Sequence, residues 1–100
     1  MIKLLSITRS SRKGKKYTAK FRTIDSNGNN RVKNVHFGAE GYEDYTIHHD
    51  KSRRANYWRR HINDNFARAD SPGALSAIIL WGPSTDIIKN IKLYEQLYGV

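Results

Sequence analysis

The sequence predicts an α+β domain: a small antiparallel sheet of about three N-terminal strands packed with about three C-terminal helices. Three observations lead there. Residues 17–37 alternate apolar and polar side chains around "DSNGNN", whose Asn27-Gly28 pair readily takes positive φ. Beyond residue 38 the apolar spacing becomes helical, with start signals at Asp50 and at Ser71-Pro72. Strands first and helices after, segregated along the chain, define the α+β class.

Each element follows from local chemistry. "IKLLSIT" is a short apolar run that makes a first strand over Lys3–Thr8. "RSSRKGKK", residues 9–16, places five bases around Gly14 without an apolar period, as a solvated loop does. In "YTAKFRTI", Tyr17, Ala19 and Phe21 point one way while Thr18, Lys20 and Arg22 point the other. "RVKNVHF" alternates again, so residues 17–37 form a hairpin. Gly38 and Gly41 bracket a turn, and Asp50 caps a helix covering roughly 51–62. Ser71 caps a second helix with Pro72 in its first position. Its body, "GALSAIILW", is apolar nearly all round and is expected to be buried. Gly82-Pro83 ends it. Ser84 then caps a last helix with Asp86 in its first turn, where Ile87, Ile91, Tyr94 and Tyr98 share one face. One hundred residues make a single domain, 1–100, with a basic β-rich part over 1–37 and a helical part over 38–100.

Composition narrows the class. A hydrophobic fraction of 38% with eleven aromatic residues supports a packed interior. The absence of cysteine excludes disulfide scaffolds and thiolate zinc sites, and fits a reducing compartment. "MIKLLSITRS" has only a four- or five-residue apolar run, short of a signal peptide or a spanning helix. A soluble, non-secreted chain is expected. The net charge is +9, and residues 1–33 hold ten Lys/Arg against the single acid Asp25. Bases and acids balance over 34–70 and again over 71–100, so the excess lies wholly in the first third. Such asymmetry suits a surface that meets nucleic acid, anionic lipid or an acidic protein. The alternative is a basic surface kept for solubility.

"YTIHHDKSRRANYWRRH", residues 45–61, concentrates three histidines, four arginines and three aromatics. On a helical wheel Arg53, Tyr57, Arg60 and His61 fall within one third of the circumference, opposite Ala55, Trp58 and Ile62. The apolar stripe is expected to pack on the domain. The other face offers guanidinium groups for phosphate or carboxylate beside an aromatic ring. The competing reading is a solvated helix whose arginines pair with Glu40, Glu43, Asp44 and Asp50. His48, His49, Asp50 and His61 supply metal-ligating types, but the two adjacent histidines diverge in an extended chain. Neither an H-x₃-H pair nor an HExxH is present. No metal site and no cofactor are expected; His48 packs or caps the helix start, and His61 suits the helix end. Gly14-Lys15-Lys16 lacks phosphate-loop spacing. A metal-dependent nuclease built on His49, Asn56 and His61 is the remote enzymatic alternative; the chain is expected not to be an enzyme and to take no small-molecule substrate. The expected contact residues are Arg9, Arg12, Lys13, Lys15, Lys16, Lys20 and Arg22, joined by Arg53, Tyr57 and Arg60.

Residues 37–61, "FGAEGYEDYTIHHDKSRRANYWRRH", and 73–85, "GALSAIILWGPST", together resemble a family of small basic proteins encoded by large eukaryotic DNA viruses of the phycodnavirus and mimivirus type. The family pattern runs FGxxGxxDYTxHxDxxRxxxYxxRH, then GxxSxxLLWxxP[ST]. The chain keeps Phe37, Gly38, Gly41, Asp44, Tyr45, Thr46, His48 and Asp50, then Arg53, Tyr57, Arg60 and His61. Further on it keeps Gly73, Ser76, Leu80, Trp81 and Thr85, with Pro83 one position ahead of the pattern's proline. It departs at His49, where lysine is common, and at Asn56, where arginine is common, which lowers the charge of the helix. The resemblance covers about half the chain and carries no assigned reaction. It implies a virion-associated structural protein, a minor capsid or core component, found in the virion and in host cytoplasm or nucleus during assembly. It also recasts "DYTIH" as a turn in which Asp44 and His48 hold each other or the backbone. The alternative is a sequence-independent double-stranded DNA-binding protein accompanying the packaged genome, since no base-reading motif is present. At the C-terminus, Leu97, Tyr98 and Val100 either dock a neighbour or pack on the sheet.

Overall fold

The computed structural model describes residues 2–100. It is α+β, with three antiparallel strands followed by helices. The strands are β1 (Ile2–Arg9), β2 (Lys15–Ile24) and β3 (Asn30–Ala39), in the order β1-β2-β3. β2 pairs with β3 in one unbroken register, from Lys15 opposite Ala39 to Ile24 opposite Asn30. The hairpin turn between them closes as its residues predict. The Asp25 carboxylate accepts from the backbone N–H of Asn27 and of Asn29, and Gly28 takes φ 80°. β1 pairs with β2 less evenly. The register slips between Leu4 and Ser6, leaving Leu5 as an exposed bulge, so that Leu4 and Ile7 both face inward.

One sheet face carries Leu4, Ala19, Phe21, Val35 and Phe37 into the core. The helices cover this face only. α1 (Tyr45–His48) and α2 (Lys51–His61) are capped by Asp44 and Asp50, whose carboxylates accept from the first helical N–H groups. Ser71 caps α3 (Pro72–Leu75), with Pro72 in the first turn as the sequence requires. The expected single helix then changes character. From Ser76 to Leu80 it is π-helical, closed by the Trp81 N–H on the Ser76 carbonyl at 3.1 Å. Its residues Ala77, Ile79 and Leu80 are buried, as apolarity all round demands.

α4 (Ile87–Tyr98) begins later than expected. Asp86 is its N-cap, accepting from Ile88 N–H, whereas Ser84 accepts from the Asp86 N–H one step earlier. Ser84 is held instead by Asn90, which is wholly buried. Asn90 Nδ2 donates to the carbonyls of Ile79 and Ser84, and its Oδ1 accepts from Ser84 N–H. A buried amide with all these partners costs little and pins the π turn to α4. Tyr94 and Tyr98 reach across to residues 62–71, donating to the carbonyls of Ala69 and Phe66. Tyr98 and Val100 pack against the core, while Leu97 stays exposed.

Gly38 sets how closely β3 approaches this helical layer. It takes φ 78°, and a Cβ there would lie 2.9 Å from Leu80 Cδ1 and 3.1 Å from Lys16 Cβ.

Candidate partner-binding surface

The alternation of β2 divides its side chains between two environments. Ala19 and Phe21 are fully buried, and Lys20 and Arg22 emerge on the uncovered face. Register places Lys3 directly opposite Arg22, and Ser6 and Asn34 on either side of Lys20. Near the loop end of the same face, Thr18 Oγ1 lies 2.7 Å from His36 Nδ1 and 3.0 Å from Ser10 Oγ. The outer sheet face is thus mainly polar and basic, with Val32, opposite Arg22, and Ile24 as exposed apolar side chains on it.

The loop 10–14 that joins β1 to β2 is solvent-exposed yet tied down. Ser10 N–H donates to the Lys16 carbonyl at 3.0 Å, Arg12 N–H to Ser10 Oγ at 3.1 Å, and Gly14 N–H to the Glu40 carboxylate at 3.1 Å. Arg12 and Lys13 therefore project from a fixed turn beside the basic face. Arg9 lies on the core side of β1, its guanidinium over the Tyr17 ring at 5.4 Å from the centroid.

Not all the expected contact residues share this surface. Lys16 is drawn inward, where its ammonium meets the Asp44 carboxylate at 2.6 Å with both side chains almost covered. Asp44 also accepts from Thr46 N–H and from the Thr46 hydroxyl. Its charge is thereby compensated, and it ties β2 to the start of α1. Asp44 and His48 thus do not hold each other; each holds the backbone, and the charge partner of Asp44 is Lys16. His48 Nδ1 accepts the Asp50 N–H at 2.9 Å, and its buried Nε2 has no hydrogen-bond partner among the described residues.

Arg53, Tyr57 and Arg60 lie on α2, away from the outer sheet face, and the packing side of α2 differs from the expected one. Ala55 and Ile62 are exposed, so the stripe Ala55, Trp58 and Ile62 is not the docking face. The helix packs through Arg54, Tyr57, Trp58 and His61. Tyr57 stacks on Trp81 with centroids 4.4 Å apart, and on His61 at 4.3 Å. Trp58 Nε1 donates to the Trp81 carbonyl at 2.8 Å. Arg54 Nε lies between the carbonyls of Trp81 (3.0 Å) and Gly82 (2.8 Å), within hydrogen-bond reach of both. The larger aromatic rings and the open carbonyls at the end of the π turn outweigh two smaller aliphatic side chains. Arg54 was not among the expected site residues. The spacing 54, 57, 58, 61 is itself a helical stripe and was the available signal. Burial pushes the Tyr57 hydroxyl up to about 12; the nearby Asp64 carboxylate adds to the shift and Arg60 opposes it.

Arg53 pairs with Glu43 at 3.1 Å, as the solvated-helix reading proposed. His61 Nδ1 lies 2.7 Å from Asp64, and His49, in the left-handed region at φ 55°, ends α1. Among the described residues no group of three or more metal-ligating side chains converges. Nor is any helix long and apolar enough to cross a membrane.

Residues 5–61, from the β1 bulge to the end of α2, match a family of unknown function (DUF5754), and the chain belongs to that family. No curated protein and no solved structure matches it significantly.

Proposed function

We propose that this chain is a non-enzymatic structural protein of the virion of a large DNA virus, a minor capsid or core component. It holds an acidic partner on the outer sheet face and the loop beside it. One observation carries the reading: eight of the nine acids of the chain are already committed elsewhere, and the ninth, Glu95, lies on α4. Asp44 holds Lys16, Asp25 holds Arg31, Asp70 holds Lys33 and Arg68, and Glu43 holds Arg53. Glu40 pins Gly14, Asp50 and Asp86 cap helices, and Asp64 holds His61. Among the described residues none reaches Lys3, Arg12, Lys13, Lys20 or Arg22. These five cations stand on one side of the molecule without a carboxylate, and an external anion completes them. The viral setting rests on the resemblance of residues 37–61 and 73–85. The non-enzymatic character is supported by His48, His49 and His61, each of which has a role in capping or packing.

A second reading takes the acidic partner to be double-stranded DNA. The fixed turn and the bases on the outer side of β1 and β2 favour it, because they present charge without any group placed to read bases. The test is duplex binding from low to physiological salt, with Arg12, Lys13, Lys20 and Arg22 changed together to glutamine. If the partner is DNA, the quadruple change weakens binding to all sequences alike. Neutralising six phosphates would give a slope of log K against log salt of about −5. If the partner is a virion protein, duplex binding is weak at physiological salt and the same variant fails to enter particles. A variant that enters particles normally, from a parent that does not bind DNA, would sink both readings.

A further inference from the structure

On the helical side lies a cavity of about 670 Å³, between the end of β3, α2 and the π turn. This size suits a small organic molecule. Its walls include Gly38 and Leu80 on the apolar side and Tyr57 and Trp81 as an aromatic side. Lys15, Arg53, Arg60 and the Ser76 hydroxyl supply polar groups at the same cavity. Glu43 and Asp64 line it too, but Glu43 is engaged by Arg53 and Asp64 by His61. Arg60, Lys15 and the Ser76 side chain have no partner among the described residues. Two unpaired cations and a free hydroxyl therefore share one recess with an apolar wall.

We infer that this cavity binds a phosphate monoester. The dianionic phosphate would lie between the Arg60 guanidinium and the Lys15 ammonium, and the organic body on the Trp81 and Leu80 wall. A dianion matches the two cations that have no carboxylate partner, with the Asp64 carboxylate, held by His61, as the opposing charge in the same recess. Guanidinium offers it a two-pronged donor, and the Ser76 hydroxyl can donate a further bond. The π turn contributes directly: its extra residue per turn sets both Ser76 and Trp81 on the cavity wall, and π turns recur at binding sites. This site is separate from the outer sheet face and needs no macromolecular partner.

The experiment is calorimetric titration of the full chain at physiological salt with adenosine 5′-monophosphate, adenosine and inorganic phosphate as probes. The monophosphate is expected to bind saturably at one site. Adenosine and inorganic phosphate should each bind at least about tenfold more weakly, since each lacks half of the recognised chemistry. Arg60→Gln and Lys15→Gln should each weaken the monophosphate by about tenfold, as loss of a charge-assisted bond predicts. Lys20→Gln with Arg22→Gln should leave it unchanged. Arg60 is exposed and unpaired, and a thermal melt of Arg60→Gln confirms the fold. The inference is overturned if the monophosphate gives no saturable heat, or if Arg60→Gln binds as the parent does. Equal affinity for inorganic phosphate would also overturn it, as would an equal loss in the sheet-face variant, which would show only the general positive field.

Discussion

Tyr57 on α2 and Trp81 at the end of the π turn lie face to face, centroids 4.4 Å apart and planes 1° from parallel. His61 extends the stack beyond Tyr57, and the His48 ring stands 5.3 Å from Trp81. These rings come from three separate stretches of chain. They make α2, which has no fully buried residue, a fixed part of the domain.

Trp81→Ala should therefore cost about 3 kcal/mol, the low end for losing a large aromatic side chain, because Trp81 is only partly buried. Trp81→Phe should recover much of that loss by keeping a ring against Tyr57. Urea unfolding of both variants checks this, and equal loss in the two would argue against the stack.

Lys16 and Lys13 are near neighbours in sequence with opposite expected behaviour. Lys16→Met strands the buried Asp44 carboxylate and should cost about 3–5 kcal/mol. Lys13→Ala, on the exposed turn, should stay within about 0.5 kcal/mol of the parent. Denaturant midpoints measured side by side decide the point.

At acid pH the relevant group is Asp70. The hydrogen bond from Lys33, with a smaller contribution from Arg68, holds its carboxyl below the usual carboxylate range, against some desolvation. A folded value below the unfolded one means that the stabilisation is present above the ordinary carboxylate value of about 3.9 and is lost as the pH falls through the depressed folded value. The stability difference between the parent and Asp70→Asn should accordingly shrink on acidification. A difference that holds constant from neutral pH to pH of about 3 contradicts this.

The alkaline side turns on tyrosines. Burial raises Tyr57 to about 12 and also raises Tyr94 and Tyr98. Here the folded value lies above the unfolded one of about 10, so stability is full below that pH and declines as the pH rises through the folded value. Tyr57 has no hydrogen bond to lose through its hydroxyl among the described residues. Tyr57→Phe should then unfold at a higher pH than the parent, monitored by far-UV circular dichroism.

Gly82 admits no side chain. A Cβ there would lie 2.1 Å from the Ile78 carbonyl oxygen and 2.8 Å from the Asn90 side chain. Gly82→Ala must push apart the π turn and α4, and a loss of about 3 kcal/mol, the upper part of the overpacking range, is expected. A melting temperature equal to that of the parent would show that the two elements can separate freely.

The strands, the hairpin turn and two of the helix starts were legible in the sequence, because each depends on neighbours within a few residues. Alternation in residues 17–37 decides which side chains share a face, and Asp50 and Ser71-Pro72 carry their own capping chemistry. The start of α4 was displaced from Ser84 to Asp86 because Asn90, six residues further on, claims the Ser84 backbone. The face of α2 was misplaced for a similar reason. Its wheel shows two candidate stripes, and only the presence of Trp81 and its open carbonyl selects Tyr57 and Trp58 over Ala55 and Ile62.

The sequence by itself determined the fold class and the basic character of the first third, since periodicity and formal charge are local sums. The tertiary structure decided which of those charges remain free. Lys16 and Lys20 read alike in the chain, but one meets Asp44 from 28 residues away and the other faces solvent. A charge is neutralised by whatever carboxylate the fold brings within a few ångströms, and that pairing is set by long-range packing.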